Sequence, residues 1–246
     1  MKRSRPTVGF DSRCSPGRRI KHLIDELGIA DIADPDSGQC WLLAEEQGRL
    51  VLLERDNPRG KPLSVDLVKI RKRFKSLPIR KHGPMARALG RSTRTIIDAT
   101  AGWGQDTFLI WMMGYDVVAV ERSLVIGALL IDGMQRFQRT ESSPRCPHVI
   151  VADSIEFLQR NNADCVYLDP MFPPRKKMSA LARRSMRVLR ELVGDDNDRD
   201  RLFERAWQAA SRRVVVKRPN YSKPWRTPDQ TFVGKLMSYD LFLKHG

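Results

Sequence analysis

Cysteine, long apolar runs and negative charge are all in short supply in this chain. The four cysteines (Cys14, Cys40, Cys146 and Cys165) form no C-x-x-C pair, and the four histidines are scattered. A zinc site is therefore not expected, and free buried thiols in a reducing cytoplasm are the default. No apolar stretch approaches the roughly 20 residues that would cross a bilayer. The basic start, Met1 to Pro6, is followed by no apolar segment and does not read as a secretory signal. A basic amphipathic helix with exposed aromatics, which would suit an anionic membrane surface, is also missing.

The scarcity of acids leaves a large positive balance: 44 Lys and Arg stand against 29 Asp and Glu, a formal net charge of +15. The basic residues are spread along the chain, and such a field favours a polyanion, nucleic acid first, over simple solubility. With 246 residues the chain can bury a sizeable core, and one main domain with a smaller appendage is expected.

The appendage is expected over residues 1–90. Cys40 to Ala44 and Arg49 to Leu53 flank Glu45-Glu46-Gln47-Gly48, which predicts a hairpin with a glycine-bearing turn. Asn57 to Pro62 reads as a loop. A basic tract follows (Lys69, Arg71, Lys72, Arg73, Lys75, Arg80 and Lys81), either a solvated face or a contact for RNA phosphates.

Over residues 91–246 strands alternate with helices. Apolar runs at 95–99, 115–120, 148–152, 164–168 and 213–217 predict strands, and helical spacing is expected over 103–113, 123–138, from 155, over 176–193 and over 199–211. The tail, 231–243, suggests a terminal antiparallel pair. The fold class expected is α/β, a Rossmann-like, mostly parallel sheet with an antiparallel C-terminal strand and a small N-terminal β-containing subdomain.

Ligands of such sheets lie beyond the carboxyl ends of the strands, and here those ends carry Asp98, Glu121, Asp153 and Asp169. Gly102-Trp103-Gly104 lets backbone approach a ligand with no Cβ in the way. Thr107 stands where a dinucleotide fingerprint wants its third glycine, and Asp98 would face a pyrophosphate with negative charge. A cationic sulfonium and ammonium, as in S-adenosylmethionine, suit the acidic rim better. Glu121 is placed to accept from ribose hydroxyls. Asp153 either accepts from an adenine amine or, with Ser154, caps the next helix. Gln105 and Asp106 open the first helix, where they would meet the methionine portion.

Asp169-Pro170-Met171-Phe172 closes the apolar strand Cys165 to Leu168. The Asp169 carboxylate and the Pro170 carbonyl both accept hydrogen bonds from an exocyclic amine, and Phe172 offers a face on which a planar base stacks. This points to methyl transfer onto an amino group of a base, with Asp169, Pro170 and Phe172 as the catalytic set. Lys217-Arg218-Pro219 and Arg175-Lys176-Lys177 are either phosphate contacts near the same rim or ordinary solvated surface.

Together, Asp98-Ala-Thr-Ala-Gly102-x-Gly104-x-Asp106, Glu121-Arg122, Val166 to Pro173 and Val214 to Pro219 resemble the bacterial ribosomal RNA small-subunit methyltransferase J family, over roughly residues 64–221. The resemblance implies a class I S-adenosylmethionine-dependent fold and N2-methylation of one guanine in small-subunit (16S) ribosomal RNA in the cytoplasm. It places cofactor contacts on Gln105, Asp106, Glu121, Arg122, Asp153, Ser154 and Asp169. Competing readings are an amino-methyltransferase acting on adenine N6 or a tRNA guanine, and a non-catalytic RNA-binding module that retains the fold. A nicotinamide dehydrogenase is disfavoured by the missing glycine.

Overall fold

The computed structural model describes residues 8–11, 15–29, 31–32, 41–54, 57, 60–72, 82–141, 146–172, 180–193 and 198–244. The chain divides into two compact units, neither continuous in sequence: residues 1–70, 123–146 and 177–194 form one, and 71–122, 147–176 and 195–246 the other.

The first unit holds a four-stranded sheet of order β2-β1-β3-β4, made from β1 (Gly9–Asp11), β2 (Asp31–Ile32), β3 (Trp41–Glu46) and β4 (Arg49–Glu54). The expected hairpin is β3–β4, closed by Gln47 at φ 52 and Gly48 at φ 73. Two consecutive left-handed residues match the right-handed twist of the flanking strands. Helices α1 (Arg18–Glu26), α2 (Leu67–Arg71), α5 (Leu124–Glu141) and α7 (Ala180–Val193) complete the described elements of this unit, α2 running one residue beyond its boundary. Asp132 of α5 is fully buried; its Oδ2 accepts from Arg136 Nε at 2.8 Å and the Leu50 amide at 3.2 Å, and Arg19 forms an ion pair with its Oδ1 at 2.6 Å, so the buried charge is compensated.

The second unit carries a seven-stranded sheet of order β10-β11-β9-β8-β5-β6-β7. The strands are β5 (Thr95–Asp98), β6 (Asp116–Glu121), β7 (His148–Val151), β8 (Ala163–Leu168), β9 (Ala210–Pro219), β10 (Gln230–Val233) and β11 (Met237–Leu243). The five from β7 to β9 are parallel; β11 and β10 pair antiparallel, as the alternating tail predicts. Around the sheet lie α3 (Gly83–Leu89), α4 (Gln105–Met112), α6 (Ser154–Phe157) and α8 (Arg199–Ala209).

Strand residues alternate between two cores, as a pleat with both faces covered requires. Ile97, Val166, Val214 and Val216 pack with α6 and α8, while Ile96, Cys165, Tyr167 and Val215 pack with α3 and α4. The first strand of the parallel run, β5, lies between β6 and β8, so the strand order reverses there. That reversal opens the crevice in which such sheets take their ligands. Among the described residues no helix is long and apolar enough to cross a membrane.

Candidate active site

The parallel strands end in polar residues at the carboxyl rim, and backbone bonds fix the turn that follows β5. The Ala99 amide donates to the Tyr167 carbonyl at 3.0 Å and the Ala101 amide to the Val120 carbonyl at 3.1 Å. The turn after β5 is thereby strapped to both neighbouring strands. Gly102 (φ 51) and Gly104 (φ 73) occupy left-handed conformations, which a side chain disfavours. Gly104 is the residue before α4, and its positive φ starts the helix at Gln105, two residues later than the spacing predicts.

Glu121 is buried, and its Oε2 accepts from the Gly102 amide at 2.8 Å. The second strand's acid thus locks the glycine turn. Ser154 is buried too; its hydroxyl donates to the Ala99 carbonyl at 2.6 Å. Asp153 accepts from the amides of Ile155 at 2.8 Å and Glu156 at 3.2 Å, so its carboxylate caps α6, the second of the two roles expected for it. Arg122, expected at the cofactor, turns to Asp198 at 3.2 Å. Gln105 is exposed at the first turn of α4.

The densest cluster lies around Asp169. Lys217 Nζ sits 2.6 Å from Asp106 Oδ2 and 2.9 Å from Asp169 Oδ2. Tyr167 donates its hydroxyl to Asp106 Oδ2 at 2.6 Å, and the Asp169 amide donates to Thr100 Oγ1 at 2.6 Å. Asp169 is consequently held at both backbone and side chain. Pro170 is buried, and Met171 and Phe172 are half-buried beside it; Pro173 and Arg175-Lys176-Lys177 lie outside the described residues. Burial pulls the Lys217 ammonium down, yet the carboxylates of Asp169 and Asp106 outweigh that and hold it well above the ordinary lysine range. Burial and the same two acids raise Tyr239 to about 12.

One expectation is corrected here. Lys217 and Arg218 are not surface phosphate contacts. Lys217 neutralises Asp106 and Asp169, and Arg218 pairs with the buried Asp240 at 2.6 Å and donates to the Ser222 carbonyl. In the basic tract, Lys69 pairs with Asp66 at 3.1 Å, while Arg73, Lys75, Arg80 and Lys81 lie outside the described residues. The sequence reading missed Thr100, Thr107, Tyr167 and the inward task of Lys217. The register Leu168↔Val216 carries the signal for Lys217, because it sets residue 217 level with Asp169.

Asp98 differs from the other rim acids. It is 1% exposed and accepts from Thr107 Oγ1 at 2.5 Å and the Thr100 amide at 3.2 Å. Burial first, then the charges of Asp106 and Asp169, push its carboxyl up to about 7 against the bonds from Thr107 and Thr100. A folded-state value above the unfolded one means the native state binds the extra proton between about pH 4 and pH 7. Stability from this group is complete below that window and lost as pH rises through it. Asp98→Asn preserves the acceptor for Thr100 and leaves Thr107 a partner, so its melting temperature should exceed the parent's at pH 8 and vary less between pH 4 and 7. Parallel melting curves for the two proteins would contradict this.

The residues fit a cationic nucleoside. Two glycines leave room for close approach, and Glu121, Asp106 and Asp169 bring carboxylates to the same rim, complementary to a sulfonium and an ammonium. Glu121, Asp106 and Asp169 are the groups that would hold it.

Comparison with known proteins agrees with this geometry. A family profile for SAM-dependent methyltransferases matches residues 23–244. A protein of Pseudoalteromonas translucida named ribosomal RNA small subunit methyltransferase J is 37% identical over 241 residues, covering 92% of this chain and 93% of its own. The protein of the same name from Chromohalobacter salexigens is 35% identical over 251 residues, with 95% and 96% covered. Among solved structures, a SAM-dependent methyltransferase from Neisseria gonorrhoeae superposes with a TM-score of 0.73 at 24% identity, over 97% of this chain and 96% of that one, and shares the fold.

Proposed function

We propose, because this chain belongs to the ribosomal RNA small subunit methyltransferase J family of SAM-dependent methyltransferases, that its strand rim methylates the exocyclic N2 amine of one guanine in small-subunit (16S) ribosomal RNA. The observation that carries the proposal is the fixed Asp169-Pro170 pair beside the Gly102–Glu121 turn. S-adenosylmethionine, when bound, supplies an electrophilic methyl group on a positively charged sulfur.

The chain's part is to bind and to orient. Asp169 and the Pro170 carbonyl accept from the amine and aim its lone pair, and Phe172 supports the face of the extruded base. Lys217 engages Asp169 Oδ2, but a carboxylate has about four lone-pair sites, so accepting capacity remains. Thr100 holds the Asp169 backbone, so the carboxylate waits in place rather than being ordered by the substrate. No covalent intermediate is called for. The methylated nitrogen loses one proton, to Asp169 or to water. The place of work is the cytoplasm, where ribosomal subunits are.

Nucleoside mass spectrometry of small-subunit RNA from a deletion strain tests the target. One N2-methylguanine should disappear; an intact complement of N2-methylguanine, or loss of N6-methyladenine in its place, would move the activity elsewhere.

Glu121 supports a second test. Its buried carboxylate makes charge-assisted bonds, each of which contributes about 1.5–3 kcal/mol. Glu121→Ala should weaken S-adenosylmethionine at least about tenfold in calorimetry, and Glu121→Gln less. An unchanged dissociation constant in the alanine variant would remove Glu121 from the cofactor site.

A further inference from the structure

Beyond Lys217, the end of β9 and the turn from β10 to β11 form a surface with no part in the chemistry above. Pairing brings them together: Pro219 lies opposite Met237, and Ser238 faces Arg218 on one side and Val233 on the other. The ladder between β8 and β9 ends at Leu168↔Val216, whereas β9 continues through Lys217, Arg218 and Pro219, an overhang on the order of 10 Å. Because β9 runs parallel to β8, this overhang stands on the rim that carries Asp169.

The overhang is tightly bonded. The Ser222 amide donates to the Pro219 carbonyl at 3.0 Å, and Arg218 Nη1 to the Ser222 carbonyl at 2.6 Å. Asn220 donates its amide to the Leu236 carbonyl at 3.1 Å and its Nδ2 to the Gly234 carbonyl at 2.8 Å, while accepting from Ser238 Oγ at 2.8 Å. A Cβ at Gly234 would stand 2.8 Å from the Met237 carbonyl, so the turn closes as tightly as backbone allows.

On this fixed frame the apolar side chains point outward. Tyr221 is 51% exposed, Val233 67% and Leu236 58%; they are three of the four exposed large hydrophobic residues among those described. Lys223 and Lys235 are exposed in the same two segments, and neither 219–224 nor 233–237 contains an acid.

We propose that this edge docks the single-stranded ribosomal RNA that continues from the target guanine. Tyr221 serves as the stacking platform for a neighbouring base, and Lys223 and Lys235 meet its phosphates. The proposal rests on the rRNA-methyltransferase reading above. An aromatic face with nearby cations is how single strands are gripped without sequence readout, and a pre-bonded frame avoids an ordering cost on binding. A protein partner fits less well, since lysine is depleted where apolar side chains are buried between proteins.

The test measures affinity for unmodified small-subunit RNA and single-turnover methylation. Tyr221→Ala should weaken RNA binding about tenfold while the rate at saturating RNA and the cofactor affinity stay near the parent's; Tyr221→Phe should restore binding. Lys223→Ala with Lys235→Ala should lower the slope of log affinity against log salt by about two. Parent-like RNA affinity in Tyr221→Ala overturns the proposal. So does a defect confined to assembled subunits, which would assign the surface to a ribosomal protein. A parent enzyme that binds cofactor but methylates no ribosomal RNA would instead overturn the reading on which the proposal rests.

Discussion

Asp169→Ala should cut single-turnover methylation by about two to three orders of magnitude, the usual cost of deleting one preorganised polar group at a reacting centre. The carboxylate is fixed by the Thr100 hydroxyl at the backbone amide and by Lys217 at Oδ2, so it makes no adjustment when the amine arrives. Its removal takes away the acceptor that aims the nitrogen lone pair and leaves the Pro170 carbonyl alone. Asp169→Asn keeps one side-chain acceptor, which Lys217 and the amine would share, and should fall between the two. Cofactor affinity should change only modestly in either variant. Turnover near the parent's in Asp169→Ala would place the chemistry elsewhere.

Lys217→Met should lower the methylation rate by about a hundredfold, although the side chain meets no substrate in this account. It acts through Asp169. Its ammonium sits between two carboxylates 2.6 and 2.9 Å away, and without it Asp106 and Asp169 repel across a buried crevice that already contains Asp98. Groups that work as one unit are not additive. Lys217→Met combined with Asp169→Ala should therefore be no slower than Asp169→Ala alone. If the two losses multiply, Lys217 has a task independent of Asp169 and the positioning role is wrong.

The architecture was legible because its signals are local. Short apolar runs located all five parallel strands, and Gly48 marked the hairpin turn. Strand ends identified the rim acids without knowledge of strand order. Side-chain direction was less accessible. Asp98 reads as an acid facing a cation, yet it points inward to Thr107, since the polar residue that closes β5 meets the first turn of α4. Arg122 and Lys217 carry the same charge near the carboxyl ends of β6 and β9, but one turns to Asp198 and the other to Asp106 and Asp169. The register between β8 and β9 sets Lys217 level with Asp169, and register is a long-range property. Likewise, helical spacing over 123–138 gives α5 an apolar face without saying what covers it. In the structure α5 clusters with the hairpin unit, and Asp132 meets Arg19 and the Leu50 amide there.

The most direct measurement incubates the purified protein with methyl-labelled S-adenosylmethionine and small ribosomal subunits or RNA lacking its modification, then maps the label. One labelled N2-methylguanosine at a single position in small-subunit RNA is expected, lost in Asp169→Ala. Label on an adenine, or none at all from a protein that binds the cofactor, would contradict the proposed activity.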